Sequence, residues 1–141
     1  MQLKPKYSFP DADIVVLEAV EEICRVPLPM GNALDYKLGD SFFYIGLDIR
    51  ASIDKTGALQ ANHGKILSIG NSLINNSEIP FIEFNGVGIP GYSGGPILNT
   101  SGVVIGIMRE VWCYDPENLK YTQTNYRNRG HALYTIRGLI Q

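Results

Sequence analysis

Apolar residues run along this chain in short stretches broken by Gly, Pro, Asn and Asp. That is the spacing of an antiparallel β-barrel rather than of alternating strands and helices. The pattern predicts strands at Asp13–Ala19, Ser41–Leu47, Lys65–Ile69, Ile79–Phe84, Ile97–Leu98, Val103–Met108 and Ala132–Ile136. Helix is a minor component. Glu18–Cys24 has too many β-branched neighbours to be persuasive, and Ile136–Gln141 is short. The polar, turn-rich run Tyr114–Arg129 reads as a long loop or a hairpin between two core strands. No internal repeat or low-complexity segment interrupts the pattern.

At 141 residues, 45% of them hydrophobic, the chain can build one domain with a substantial core. A net charge of −2, with Lys and Arg scattered singly, presents no basic face for a phosphate backbone, so nucleic acid is not expected as a partner. No apolar run approaches the roughly 20 residues of a membrane span, and MQLKPKYSFP has no apolar signal core. The chain therefore reads as soluble. Cys24 and Cys113 are too few for a disulfide framework and stand at no metal-ligand spacing with His63 or His131. Buried free thiols and a cytoplasmic location are the expectation, with no metal or other cofactor called for.

The chemistry concentrates in Gly91-Tyr92-Ser93-Gly94-Gly95-Pro96. Glycines on both sides of one serine let the main chain bend and approach closely, leaving backbone N–H groups free to face an oxyanion. Ser93 is the candidate nucleophile, and the N–H groups of Gly91 and Ser93 are the candidate oxyanion hole. Ile97-Leu98, a tight turn at Asn99–Gly102 and the returning strand Val103–Met108 follow as a hairpin.

The run GYSGGPILNTSGVVIGI resembles the nucleophile segment of trypsin-like serine proteases, nearest the bacterial HtrA-type branch. Asp13-Ile-Val-Val-Leu after Pro10 looks like that family's aspartate strand, and Leu28-Pro29-Met30-Gly31 with Leu38-Gly39-Asp40 looks like the connection into its second barrel. Ala132-Leu-Tyr-Thr-Ile resembles the strand flanking the specificity pocket. The resemblance implies an all-β fold: the six-stranded antiparallel Greek-key barrel that forms the C-terminal half of the double-barrel architecture. Residues 26–141 would be that barrel, and residues 1–25 a remnant strand and connection of the first barrel carrying the aspartate.

It also implies a triad in the chain order His, Asp, Ser, with Asp13 and Ser93 as catalytic members. Residues 1–12 hold no histidine. His63 would fall away from the site, and His131 would approach Ser93 from the substrate side. The function implied is a serine endopeptidase working through an acyl-enzyme on Ser93, its polypeptide substrate cleaved once an upstream segment or second chain supplies the histidine. The alternative is a non-catalytic binding module of the same fold. Val87 would lie near the base of the specificity pocket and Ala132 on its wall, an apolar pair suited to small or medium aliphatic side chains. Arg109, Glu110 and Val111 would pair with the substrate backbone by strand addition. Tyr92 stands where digestive relatives carry an ion-pairing aspartate, which leaves a partner or the substrate to order the loop.

Overall fold

The computed structural model describes residues 2–23, 25–31, 36–48, 58–74, 76–86, 92–113 and 126–132. Its strands are β1 (Leu3–Phe9), β2 (Ile14–Ala19), β3 (Ser41–Asp48), β4 (Ala58–Ile74), β5 (Ser77–Asn85), β6 (Pro96–Asn99), β7 (Val104–Cys113) and β8 (Tyr126–Ala132). β1 and β2 form a two-stranded antiparallel sheet, and the rest close into a barrel in the order β3-β4-β5-β8-β7-β6. Every pairing between these strands is antiparallel. The chain meanders through β3, β4 and β5, then crosses to lay β6 on the far edge of β3 before β7 and β8 return to β5. That crossing is the Greek-key step, and the all-β expectation holds.

Alternation writes the core. On β3, Phe42 and Tyr44 point inward while Phe43 between them is exposed; on β5, Ile82 and Phe84 are fully buried. Phe42 and Phe84 meet edge-on at 4.5 Å between ring centroids, with Tyr44 at 5.6 Å from Phe84. Ile66, Tyr92, Ile97, Ile105 and Met108 complete this cluster together with Tyr36. Each such side chain contributes about 1.5–3 kcal/mol by leaving water.

Several expected boundaries move. β4 extends far beyond Lys65–Ile69 at both ends; toward its start the polar residues Gln60 and Asn62 find hydrogen-bond partners and do not break the strand. Of the expected strand Ala132–Ile136 only Ala132 is described, and residues 133–136 lie outside the described set; a strand runs over Tyr126–Ala132. Its polar run Tyr126–Arg129, read as loop, is held by main-chain ladders to β5 and β7, which carry no hydrophobic signature. β1, with Pro5 and lysines, gave no strand pattern. Pro5 is tolerated because it lies in a two-stranded ribbon beside a register shift between Pro5 and Tyr7.

The connection Leu28–Gly31 docks on β7: Val104 N–H donates to the Pro29 carbonyl and Gly31 N–H to the Val104 carbonyl, both at 2.8 Å. The first sheet touches the barrel through Ile14, packed on the Leu98–Val104 cluster, and the 3-10 turn Pro10–Ala12 between its strands does so through Asp11, whose Oδ2 accepts from the Ser77 hydroxyl of β5 at 3.0 Å.

Candidate active site

Ser93 sits on a tight turn leading into β6. The Gly95 N–H donates to the Tyr92 carbonyl at 3.0 Å, closing the turn around Ser93 and Gly94. Gly94 has φ +85°, the left-handed value that a type II turn requires at its third residue. The turn is stitched to β7: Gly94 N–H donates to the Met108 carbonyl at 2.7 Å, and Met108 N–H to the Gly95 carbonyl at 2.9 Å. At Gly95 an added Cβ would overlap the Ile45 carbonyl of β3, so only glycine lets the turn lie this close. The outcome is an exposed Ser93 on a segment wedged between β3 and β7.

The Ser93 hydroxyl donates to the Arg109 carbonyl at 3.3 Å. Arg109 falls in the register shift between Met108 and Glu110, where β7 bulges relative to β8. A bulge re-aims the main chain, and here it turns a carbonyl toward the serine. Among the described residues none accepts from the Ser93 N–H. The other candidate oxyanion donor, Gly91, lies outside the described residues, as does Val87.

Asp13 caps the short 3-10 turn Pro10–Ala12, in left-handed geometry (φ 55°, ψ 42°) with its N–H donated to the Pro10 carbonyl. It is exposed, and among the described residues it shares no hydrogen bond with Ser93. Its neighbour Ile14 nevertheless packs on Leu98 and Val104 of the β6–β7 hairpin, so the aspartate segment docks beside the serine's own elements.

Glu110 and Val111 pair with Arg129 and Asn128 on β8. The β6 ladder ends at the Pro96–Ile107 pair, so past the Ser93 turn the other edge of β7 has no strand beside it among the described residues. Ala132 lies opposite Gly106. His63 is exposed on β4, opposite Phe43, and His131 is paired in register with Ile107 on β7 and Phe81 on β5. Among the described residues no group of His, Cys, Asp and Glu could hold a metal ion.

Sequence reasoning missed Gln60 and Asn62. Both reach the Tyr92 hydroxyl, which donates to Gln60 Oε1 at 2.7 Å and accepts from Asn62 Nδ2 at 2.8 Å. Their only local signal is the alternation of two polar residues in a strand.

The model of the trypsin-like peptidase domain matches residues 2–107. This chain belongs to the trypsin-like peptidase domain family. Within that family it is similar to HtrA-type members. A probable periplasmic serine endoprotease, DegP-like, of Pseudomonas fluorescens is 32% identical over 103 residues, covering 73% of this chain and 20% of the relative. The putative serine protease HhoA of Synechocystis is 31% identical over 100 residues, covering 67% of this chain and 24% of its own length. The chain thus spans about a fifth of the length of the DegP-like relative.

Among solved structures, the HtrA-type protease AlgW with a decapeptide superposes at TM-score 0.70 and 20% identity, covering 98% of this chain and 40% of its own. The active form of the Rv3671c protease from M. tuberculosis gives 0.71 at 16% identity, over 99% of this chain and 57% of its own. These likenesses support the trypsin-like barrel as the fold.

The expected cytoplasmic location is overturned, because several DegP-like relatives are named periplasmic. Two cysteines without a framework suit an oxidising compartment as well as a reducing one, so their scarcity does not decide between compartments.

Proposed function

We propose that this chain is the nucleophile-bearing part of a serine endopeptidase. The observation that carries this reading is the Ser93 turn, an exposed hydroxyl on a glycine-built segment locked between β3 and β7. Ser93 Oγ attacks the scissile carbonyl carbon and its proton passes to an imidazole. The resulting oxyanion is met by the Gly91 and Ser93 N–H groups. Collapse expels the amine, which takes the proton, and water then hydrolyses the acyl-enzyme. Asp13 orients the imidazole, contributed by an upstream barrel or a second chain, with residues 1–25 as the connection and 26–141 as the serine barrel. The periplasmic names of the relatives and the decapeptide on AlgW support a polypeptide substrate met outside the cytoplasm.

The open edge of β7 at Glu110 and Val111 takes the substrate backbone as an added strand. Val87 and Ala132 make the pocket aliphatic, so cleavage after Val, Ala, Ile or Leu exceeds cleavage after Lys or Arg by about tenfold.

A non-catalytic binding module is the second reading. It is favoured by the Ser93 hydroxyl, which is donated to a carbonyl and not to a base. Fluorophosphonate labelling separates the two. The polypeptide completed with a histidine-bearing barrel should label at Ser93 and lose labelling in S93A, whereas the 141-residue chain alone should label no faster than S93A. A completed protein that binds peptide without labelling would establish the binding module. Strong labelling of the chain alone, abolished by H131A with the fold retained, would sink the supplied-histidine mechanism.

A further inference from the structure

Tyr92 directly precedes Ser93, yet its side chain turns away from solvent into the barrel, where it is 1% exposed. A buried phenol needs partners for its hydroxyl, and β4 supplies a donor and an acceptor together. Gln60 and Asn62, two positions apart, share the inward face of the strand and grip the hydroxyl from opposite hydrogen-bonding senses. The wall is shaped to admit the ring. Gly46 of β3 lies opposite Gln60, and a Cβ there would overlap the Tyr92 ring. Tyr44, opposite Asn62, meets the ring edge-on at 5.8 Å.

The same residue closes the nucleophile turn through its carbonyl, which accepts from the Gly95 N–H. Side chain and main chain of Tyr92 thus couple the barrel interior to the turn that carries Ser93. The sequence alone assigned the ordering of this loop to a partner or substrate; the described residues contain an internal alternative.

We propose that Tyr92 is a latch that sets the Ser93 turn from inside the barrel, with Gln60 and Asn62 as its receivers and Gly46 as the notch that admits it. All are positioning residues. The latch orders the turn without an ion pair to a chain terminus and without a bound ligand. Its catalytic consequence rests on the reading of Ser93 as nucleophile, but its structural consequence does not.

Amide hydrogen exchange in the full chain tests it. The Gly94 and Gly95 N–H groups are both hydrogen-bonded in the latched turn and should be protected. In Y92F the receivers lose their partner, and exchange at these glycines should rise by about tenfold or more while core amides of β5 are unchanged. N62A, at a half-buried position, should raise the same amides by a smaller factor and serves if Y92F does not fold. Unchanged glycine exchange in both variants, or a rise shared equally by β5, would overturn the latch by showing ordinary core packing. In the completed protease, Y92F should lower kcat and the labelling rate with KM nearly unchanged; a change confined to KM would also refute it. Faster glycine exchange in Y92F, in a completed protein whose wild type never labels, would keep the latch and discard only the nucleophile reading.

Discussion

The serine and the aspartate stand on unlike foundations. Ser93 is carried by a turn tied to β7 through Gly94, Gly95 and Met108, pressed on β3 at Gly95 and anchored to β4 through Tyr92. Asp13 belongs to a two-stranded ribbon with exposed apolar residues, Val15 at 52% and Leu17 at 47%, and Ile14 and Asp11 join it to the barrel. A two-stranded sheet is marginal by itself in water, because one ladder cannot bury enough apolar surface to offset backbone ordering. The difference teaches that this chain builds the geometry of the Ser93 turn into its own core, whereas Asp13 is placed by a few contacts on the outside of the barrel.

Substitutions on the two sides should differ sharply in cost. The largest effect is expected at Phe84→Ala, which empties the aromatic centre and should cost about 3–5 kcal/mol in a denaturant melt. A loss under about 1 kcal/mol would mean that the barrel core is not the seat of stability. Next comes Gly95→Ala, whose methyl meets the Ile45 carbonyl; about 2–3 kcal/mol of destabilisation, together with loss of fluorophosphonate labelling in the completed protease, is the expected outcome.

On the aspartate side, Asp11→Ala removes the acceptor of the Ser77 hydroxyl and should cost about 1 kcal/mol, with faster exchange confined to β1 and β2. Leu17→Ala should shift stability by less than about 0.5 kcal/mol in the isolated chain. A larger loss would show that the ribbon is covered in solution.

The smallest effect concerns the Lys6–Glu18 pair, 3.1 Å apart and exposed. The hydrogen bond and charge of Glu18 raise the Lys6 pKa above 10.5. A raised lysine contributes its stabilisation below the unfolded value and loses it as the pH climbs through the folded one. Lys6→Met should therefore leave the melt nearly unchanged at neutral pH, any difference vanishing in alkali above that value and in high salt. A large neutral-pH effect would make the ribbon more dependent on charge than its exposure implies.

The spacing of apolar runs was enough to read the barrel class and the glycine-rich segment the serine turn, while the trypsin-like family was legible only through that segment's resemblance to known proteases. Phe42, Tyr44, Ile82 and Phe84 stand in apolar runs legible as strands, though which face of Phe42-Phe43-Tyr44-Ile45 turns inward was not; Gly94 marks a left-handed backbone and Gly95 one that a side chain would obstruct. Those signals are local, because strand periodicity and left-handed backbone depend on neighbours in sequence.

The polar strand Tyr126–Ala132 and the long reach of β4 were decided by tertiary structure, since main-chain ladders to strands distant in sequence leave no side-chain pattern. The partnership of Tyr92 with Gln60 and Asn62 was likewise invisible, being made across about 30 residues by closure of the barrel. Sequence alone named the residue that could attack; packing between β3, β4 and β7 decided how that residue is held, because a turn of so few residues takes its orientation from the surfaces it is wedged against.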